Sequence, residues 1–318
     1  MDAFGRAIRM LRISVTDRCN LRCDYCRGLR PFRSFHHDDI LRYEEIVAVV
    51  AVAAGLGVRR YRLTGGEPLV RRGIERLVEM LRAVEGVEEL ALTTNGTLLA
   101  AKAAGLASAG LDRVTLSIDS LKPARYRRIT GGGDLDEALR GLEAARRAGL
   151  VPVKVNVVVM NAVNDDEIEA FVRFGMDRDV EVRFIEHMPT LQADEEHLRL
   201  FVPGAVIREK LRALGEWTPV DGPAGAPARR WRCESLAVTV GLITPISEPF
   251  CAHCRRFRMT ADGKLKHCLW SEDDLDLRSH LRPEVRRERI VETFLLAARR
   301  KPWKCNEFRR MAMHQVGG

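Results

Sequence analysis

The stretch SVTDRCNLRCDYCRG sets three cysteines, Cys19, Cys23 and Cys26, on one short segment. Three thiolates so spaced can hold three irons of a cubane 4Fe-4S cluster and leave the fourth iron without a protein ligand. A structural zinc site asks for four ligands and closed coordination, and clusters that only carry electrons usually take four cysteines. An open iron is a place for a small molecule, although spacing this short also admits a zinc or purely structural site. A second group, Cys251, Cys254 and Cys268, again supplies three thiols and no obvious fourth. His253 and His267 stand beside these cysteines and could complete a zinc site. Between the last two thiols, however, lie Arg255, Arg256 and Arg258. Cations there suit an anionic substrate better than a folding role, because Arg forms bidentate, charge-assisted bonds to phosphate.

Such residues need a frame that brings them to one place. Runs rich in β-formers recur at 10–15, 59–64, 89–94, 113–119, 153–160 and 180–186, with helical periodicity between them that often stops at Gly. That rhythm predicts repeated βα units around a parallel sheet. Six units are fewer than the eight of a closed barrel, so the expected class is α/β, a partial, open (β/α)6 barrel. Chemistry in such sheets gathers at the carboxyl ends of the strands, and each motif falls at one: the first cysteines, TGGEP (64–68), TTNG, SIDS and EHMP. Gly65 and Gly66 would let the backbone approach a ligand, and Glu67 would offer an acceptor. Arg12, Arg62, Lys154 and Arg183 lie inside strands, where charge is costly unless matched. Alternation puts Lys154 and Asn156 on one face and valines on the other. The rhythm breaks after Pro189, which predicts a barrel domain over 1–189 and a smaller C-terminal domain over 190–318 carrying the second cluster.

Length and composition set the outer bounds. A chain of 318 residues, 46% hydrophobic, buries a large core. Its longest apolar run, 46–58, is too short to span a bilayer. The N-terminal residues carry charge where a signal peptide needs an apolar stretch, so the cytoplasm is expected and no membrane partner. Eight cysteines are too few for a disulfide scaffold; Cys233 and Cys305 read as ordinary thiols. The formal charge of +8 admits a polyanionic partner. Basic residues are spread along the chain without interleaved aromatics, which argues against nucleic acid. His36 and His37 read as part of a solvated loop.

The CxxxCxxC spacing with Tyr25 before its last cysteine, followed by TGGEP, resembles the radical S-adenosylmethionine enzymes. Both cysteine triads, the arginines between the last two cysteines, and the stretches RVTLSIDSL, EVRFIEHMP and GLITPIS are similar to the GTP 3',8-cyclase family of molybdenum cofactor biosynthesis, with a double-glycine end at Gly317 and Gly318. This resemblance implies a lyase with two 4Fe-4S clusters and S-adenosylmethionine as cofactors. The first cluster would sit on Cys19, Cys23 and Cys26, and the second, which binds guanine, on Cys251, Cys254 and Cys268. Tyr25, Gly66, Glu67, Ser117, Arg183 and Met188 would contact S-adenosylmethionine. Arg12, Arg62, Thr93, Lys154, Arg256, Phe257, Arg258, Gly317 and Gly318 would contact GTP. In that family a deoxyadenosyl radical takes hydrogen from ribose carbon 3', and the ribosyl radical attacks carbon 8 of guanine. A separate electron donor and, by analogy, a homodimer are implied. This chain departs from the family after Cys26, where Arg27-Gly28 replaces the common Met-Pro and the loop to Asp39 is unusual. The alternatives are another two-cluster radical enzyme, such as a peptide maturase, and a zinc-bearing nucleic-acid-binding module.

Overall fold

The structure, a computed structural model, describes residues 1–27, 34–189, 194–222, 225–305 and 313. Its frame is a run of alternating strands and helices: β1 (Met10–Ser14), α1 (Asp24–Arg27), α2 (Tyr43–Gly55), β2 (Arg60–Thr64), α3 (Ile74–Arg82), β3 (Glu89–Thr94), α4 (Leu99–Ser108), β4 (Arg113–Ser117), α5 (Pro123–Ile129), α6 (Leu135–Arg147), β5 (Lys154–Val159), α7 (Ile168–Arg178) and β6 (Glu181–Glu186). Strands β1 to β6 pair in parallel and in sequence order. Each lies within two residues of its expected range. On β5 the period of two is plain: Val155, Val157 and Val159 are buried in the core, while Lys154 and Asn156 share the opposite face. Helix α2 starts where the Glu45 carboxylate accepts from the Arg42 amide (2.6 Å) and buries Ile46, Val49, Val50 and Ala53.

The rest of the chain adds α8 (Asp194–Leu200), α9 (Gly204–Arg212), β7 (Thr218–Val220), β8 (Arg229–Cys233), β9 (Val238–Ile243), β10 (Arg256–Met259), β11 (Lys264–Lys266), β12 (Leu275–Asp276) and α10 (Arg287–Arg300). These strands extend the barrel sheet at both edges: β9 pairs in parallel with β6, and β10 in parallel with β1. Antiparallel β8 and β7 continue outward from β9, and β11 and β12 from β10, to give twelve strands in one sheet among the described residues. The C-terminal part also shares one apolar core with the barrel, in which Leu11 and Leu63 belong with Phe257, Ile290 and Phe294. Among the described residues no helix is long and apolar enough to cross a membrane.

Candidate functional site

The first cysteine loop is shaped by the second strand's glycines. Gly66 and Glu67 donate their amides to the carbonyls of Thr16 and Arg18, both at 2.8 Å. A Cβ on Gly65 would lie 2.3 Å from the Thr16 oxygen, and one on Gly66 2.3 Å from the Arg18 oxygen; Gly65 also has φ +153°. The close approach expected toward a ligand is therefore made first to the backbone that carries Cys19. The Glu67 carboxylate accepts from the amides of Leu69 (3.0 Å) and Asn95 (2.7 Å) and from the Thr94 hydroxyl (2.7 Å). With three donors from the chain, Glu67 ties the β2 and β3 ends together. Burial pushes its carboxyl up to about 7 against those bonds.

Cys19, Cys23 and Cys26 line a cavity together with Tyr25, Gly66, Glu67, Ser117 and Met188. The Tyr25 phenol donates to Asp119 at 2.6 Å, and Asp119 also accepts from the Val158 amide at 2.8 Å. Burial raises Asp119 to about 6. Burial, then the neighbouring Cys26, push the Cys23 thiol well up.

The second triad lines its own cavity with Arg12, Arg256, Arg258, His267 and Lys301. Here the electrostatics run the other way. Burial opposes charge on Cys254, but Arg256 and Lys301 bring that thiol down to about 6. Lys301 is buried and donates to the carbonyls of Arg256 (2.9 Å) and His267 (2.8 Å). Arg6 donates to the Cys251 carbonyl at 2.7 Å and so ties the N-terminal turn to this loop.

A third cavity shares lining residues with each of these two. Its walls carry Arg12, Arg62, Lys154, Arg183 and Arg256 with Thr93 and Thr115. Arg62 donates to the hydroxyls of Thr93 (3.2 Å) and Thr115 (3.1 Å). Burial, then nearby guanidiniums, bring Arg62 down to about 9 and Lys154 to about 8. Arg12 and Asn156 border both the second-triad and cationic cavities, Thr93 the first-triad and cationic ones, and Asn156 all three.

Two expected contacts fall elsewhere. Arg183 lines the cationic cavity, bonded to Glu181 at 2.6 Å, rather than the first-triad cavity. Phe257 alternates away from Arg256 and Arg258 into the core, with its ring 6.2 Å from that of Phe294. Gly317 and Gly318 lie outside the described residues, as do 28–33 of the unusual loop. His36 and His37 are exposed beside Asp38, His253 is exposed, and Cys233 is a core thiol. Sequence reasoning gave no role to Asn156, whose buried Oδ1 has no hydrogen-bond partner among the described residues, nor to Asp119, Thr115 and Lys301. The inward face of β5 was the one signal that pointed to Asn156.

The donor sets fit iron-sulfur clusters. Among the described residues no three His, Cys, Asp or Glu side chains converge on a point that a single ion could hold. Each triad instead lines the wall of an open cavity, as one thiolate per iron requires. Fold and site together define the radical S-adenosylmethionine class. Residues 13–175 match the radical SAM superfamily, and residues 180–307 match Molybdenum Cofactor Synthesis C. Streptococcus suis SuiB bound to S-adenosylmethionine shares the fold, with a TM-score of 0.63 at 14% identity; the match covers 86% of this chain and 63% of SuiB. GTP 3',8-cyclase of Pelotomaculum thermopropionicum is 43% identical across 100% of this chain and 99% of its own length. The enzyme of the same name from Heliobacterium modesticaldum is 43% identical across the full length of both. The chain belongs to the GTP 3',8-cyclase family.

Proposed function

We infer that this protein is a lyase that converts GTP to (8S)-3',8-cyclo-7,8-dihydroguanosine 5'-triphosphate in molybdenum cofactor biosynthesis. The observation that carries the reading is that the cavities of the two cysteine triads share Asn156, Ile185, Met188 and Met313, with a cationic cavity bordering both. Cys19, Cys23 and Cys26 would hold one 4Fe-4S cluster, with Tyr25, Gly66, Ser117 and Met188 around S-adenosylmethionine. Cys251, Cys254 and Cys268 would hold the other, with Arg256 and Arg258 beside it. When bound, these groups supply one-electron cleavage of a sulfonium and the radical that breaks a ribose C–H bond.

The residues of the chain position and shield. Arg12, Arg62, Lys154 and Arg183 take the triphosphate at one end, and the second triad takes the guanine at the other, which places the ribose between them. Fixing both ends removes most of the rotational freedom that would otherwise oppose ring closure. The phenol of Tyr25 is held on Asp119 and keeps the α1 turn against β4. Thr93, at the border between the cationic and first-triad cavities, fixes Arg62 by its hydroxyl. Arg183 belongs with the phosphate-binding set, and Glu67, which borders the first-triad cavity, would stand beside the cofactor. A separate reductant supplies single electrons, and a reducing cytoplasm keeps all six thiols available.

Anaerobic turnover tests the reading. Protein with about eight irons per chain, given S-adenosylmethionine, GTP and a chemical reductant, should release 5'-deoxyadenosine only when GTP is present and should form a cyclised nucleotide. Equal 5'-deoxyadenosine without GTP would assign the enzyme another substrate.

A further inference from the structure

We propose that the cationic cavity takes its triphosphate stripped of any divalent ion, so that magnesium competes with the protein for the nucleotide rather than accompanying it. The proposal rests on the GTP reading above and deepens it. Most nucleotide sites hold magnesium between phosphate oxygens and one or two carboxylates or hydroxyls of the protein. Nine of the side chains that line this cavity are Arg or Lys, and among its described lining residues none is acidic.

The carboxylates nearest to it are already engaged. Glu181 is bonded by Arg183 (2.6 Å) and Arg230 (2.9 Å) and faces Lys154 at 3.7 Å. Glu89 is bonded by Arg113 at 2.5 Å. The two hydroxyls that could serve a metal, on Thr93 and Thr115, both accept from the Arg62 guanidinium, so an ion bound there would meet a cation at contact distance.

Charge matching points the same way. A free triphosphate carries roughly four negative charges, which the excess of guanidinium and ammonium groups can balance. A bound divalent ion would cancel about half of that charge and leave the buried cations repelling one another. The reaction also gives magnesium no task here. It forms a bond between ribose and purine and breaks no P–O bond, so no phosphoryl leaving group needs a Lewis acid. Arginine forks, which bind phosphate in bidentate fashion, do the neutralising.

Equilibrium dialysis of GTP against the anaerobic holoenzyme, in chelator and then across a magnesium series, tests this, with potassium chloride at matched ionic strength as the screening control. The apparent Kd should rise in inverse proportion to the unchelated share, about tenfold when nine-tenths of the GTP is chelated, and should move much less in the chloride series. Inorganic tripolyphosphate should displace GTP in chelator and lose that power in excess magnesium. An affinity unchanged or tightened by magnesium overturns the proposal while leaving the GTP reading intact. So does weakening that the chloride series reproduces in full. No GTP binding under any of these conditions overturns the reading itself.

Discussion

Arg12, Arg62 and Arg258 stand in register on β1, β2 and β10, a row of like charges that adjacent strands ordinarily avoid. Burial and then neighbouring guanidiniums hold Arg12 well below its usual range, and Arg258 falls to about 10 for the same reasons. The fold without ligand carries this cost, and a polyanion removes it. Arg62→Met should therefore leave the melting temperature of the ligand-free protein unchanged or higher. It should also weaken GTP binding by roughly ten- to a hundredfold, the worth of one or two charge-assisted bonds, with iron content preserved. Thermal shift with and without GTP separates the two effects; a lower melting point without ligand would make Arg62 a structural residue. Tyr25→Phe acts differently. It removes the bond that Asp119 accepts at 2.6 Å and should destabilise the protein by about 1–3 kcal/mol. S-adenosylmethionine affinity, measured by dialysis, should fall along with it.

Backbone contacts between the ends of β1 and β2 decide the shape of the first cysteine loop. Gly66→Ala would press a methyl group against the Arg18 carbonyl, so the loop must shift. About half of the iron should be lost, with the signal of the second cluster kept; full iron content would show that the loop tolerates the shift. At the other triad, Lys301→Met should raise the Cys254 thiol and lower occupancy of the second cluster selectively, read from iron content and spectroscopy. Strands β1 to β6 were legible because β-branched runs and Gly-ended helices repeat with one rhythm. Strands of two or three residues, such as β7, β11 and β12, have no room for a pattern and emerge only from pairing. The cysteines were legible from spacing, and the interior arginines from charge within strands. Which cavity Arg183 enters goes with its ion pair to Glu181, which sequence alone does not display. Lys301 is recognised only by the two carbonyls that cage it, and both belong to distant segments. Phe257 was misplaced by its neighbours: alternation on β10 separates it from the arginines on either side.

The two halves of the molecule are also clamped outside the sheet. The Arg282 guanidinium donates twice to Glu45, at 2.6 and 2.9 Å, and so joins the start of α2 to the segment before α10. Burial would raise Glu45, but Arg282 and Arg42 hold it at about 2. A carboxylate depressed in the folded state contributes stability above its ordinary value of 4.5, and that contribution is lost as the pH falls toward 2. Glu45→Gln should cost about 3 kcal/mol at neutral pH and flatten the decline in melting temperature between pH 5 and 2; an unchanged acid profile would remove the clamp from the account. The sheet order has a consequence for biogenesis. Strand β1 is made early, yet one of its edges waits for β10, and β6 likewise waits for β9. Until roughly three-quarters of the polypeptide has been made, a nascent barrel exposes two unpaired strand edges, and that of β1 stays open until roughly four-fifths, each edge a template for aggregation. A product released before β10 should therefore clump more readily than the full chain, the β1 edge being left open.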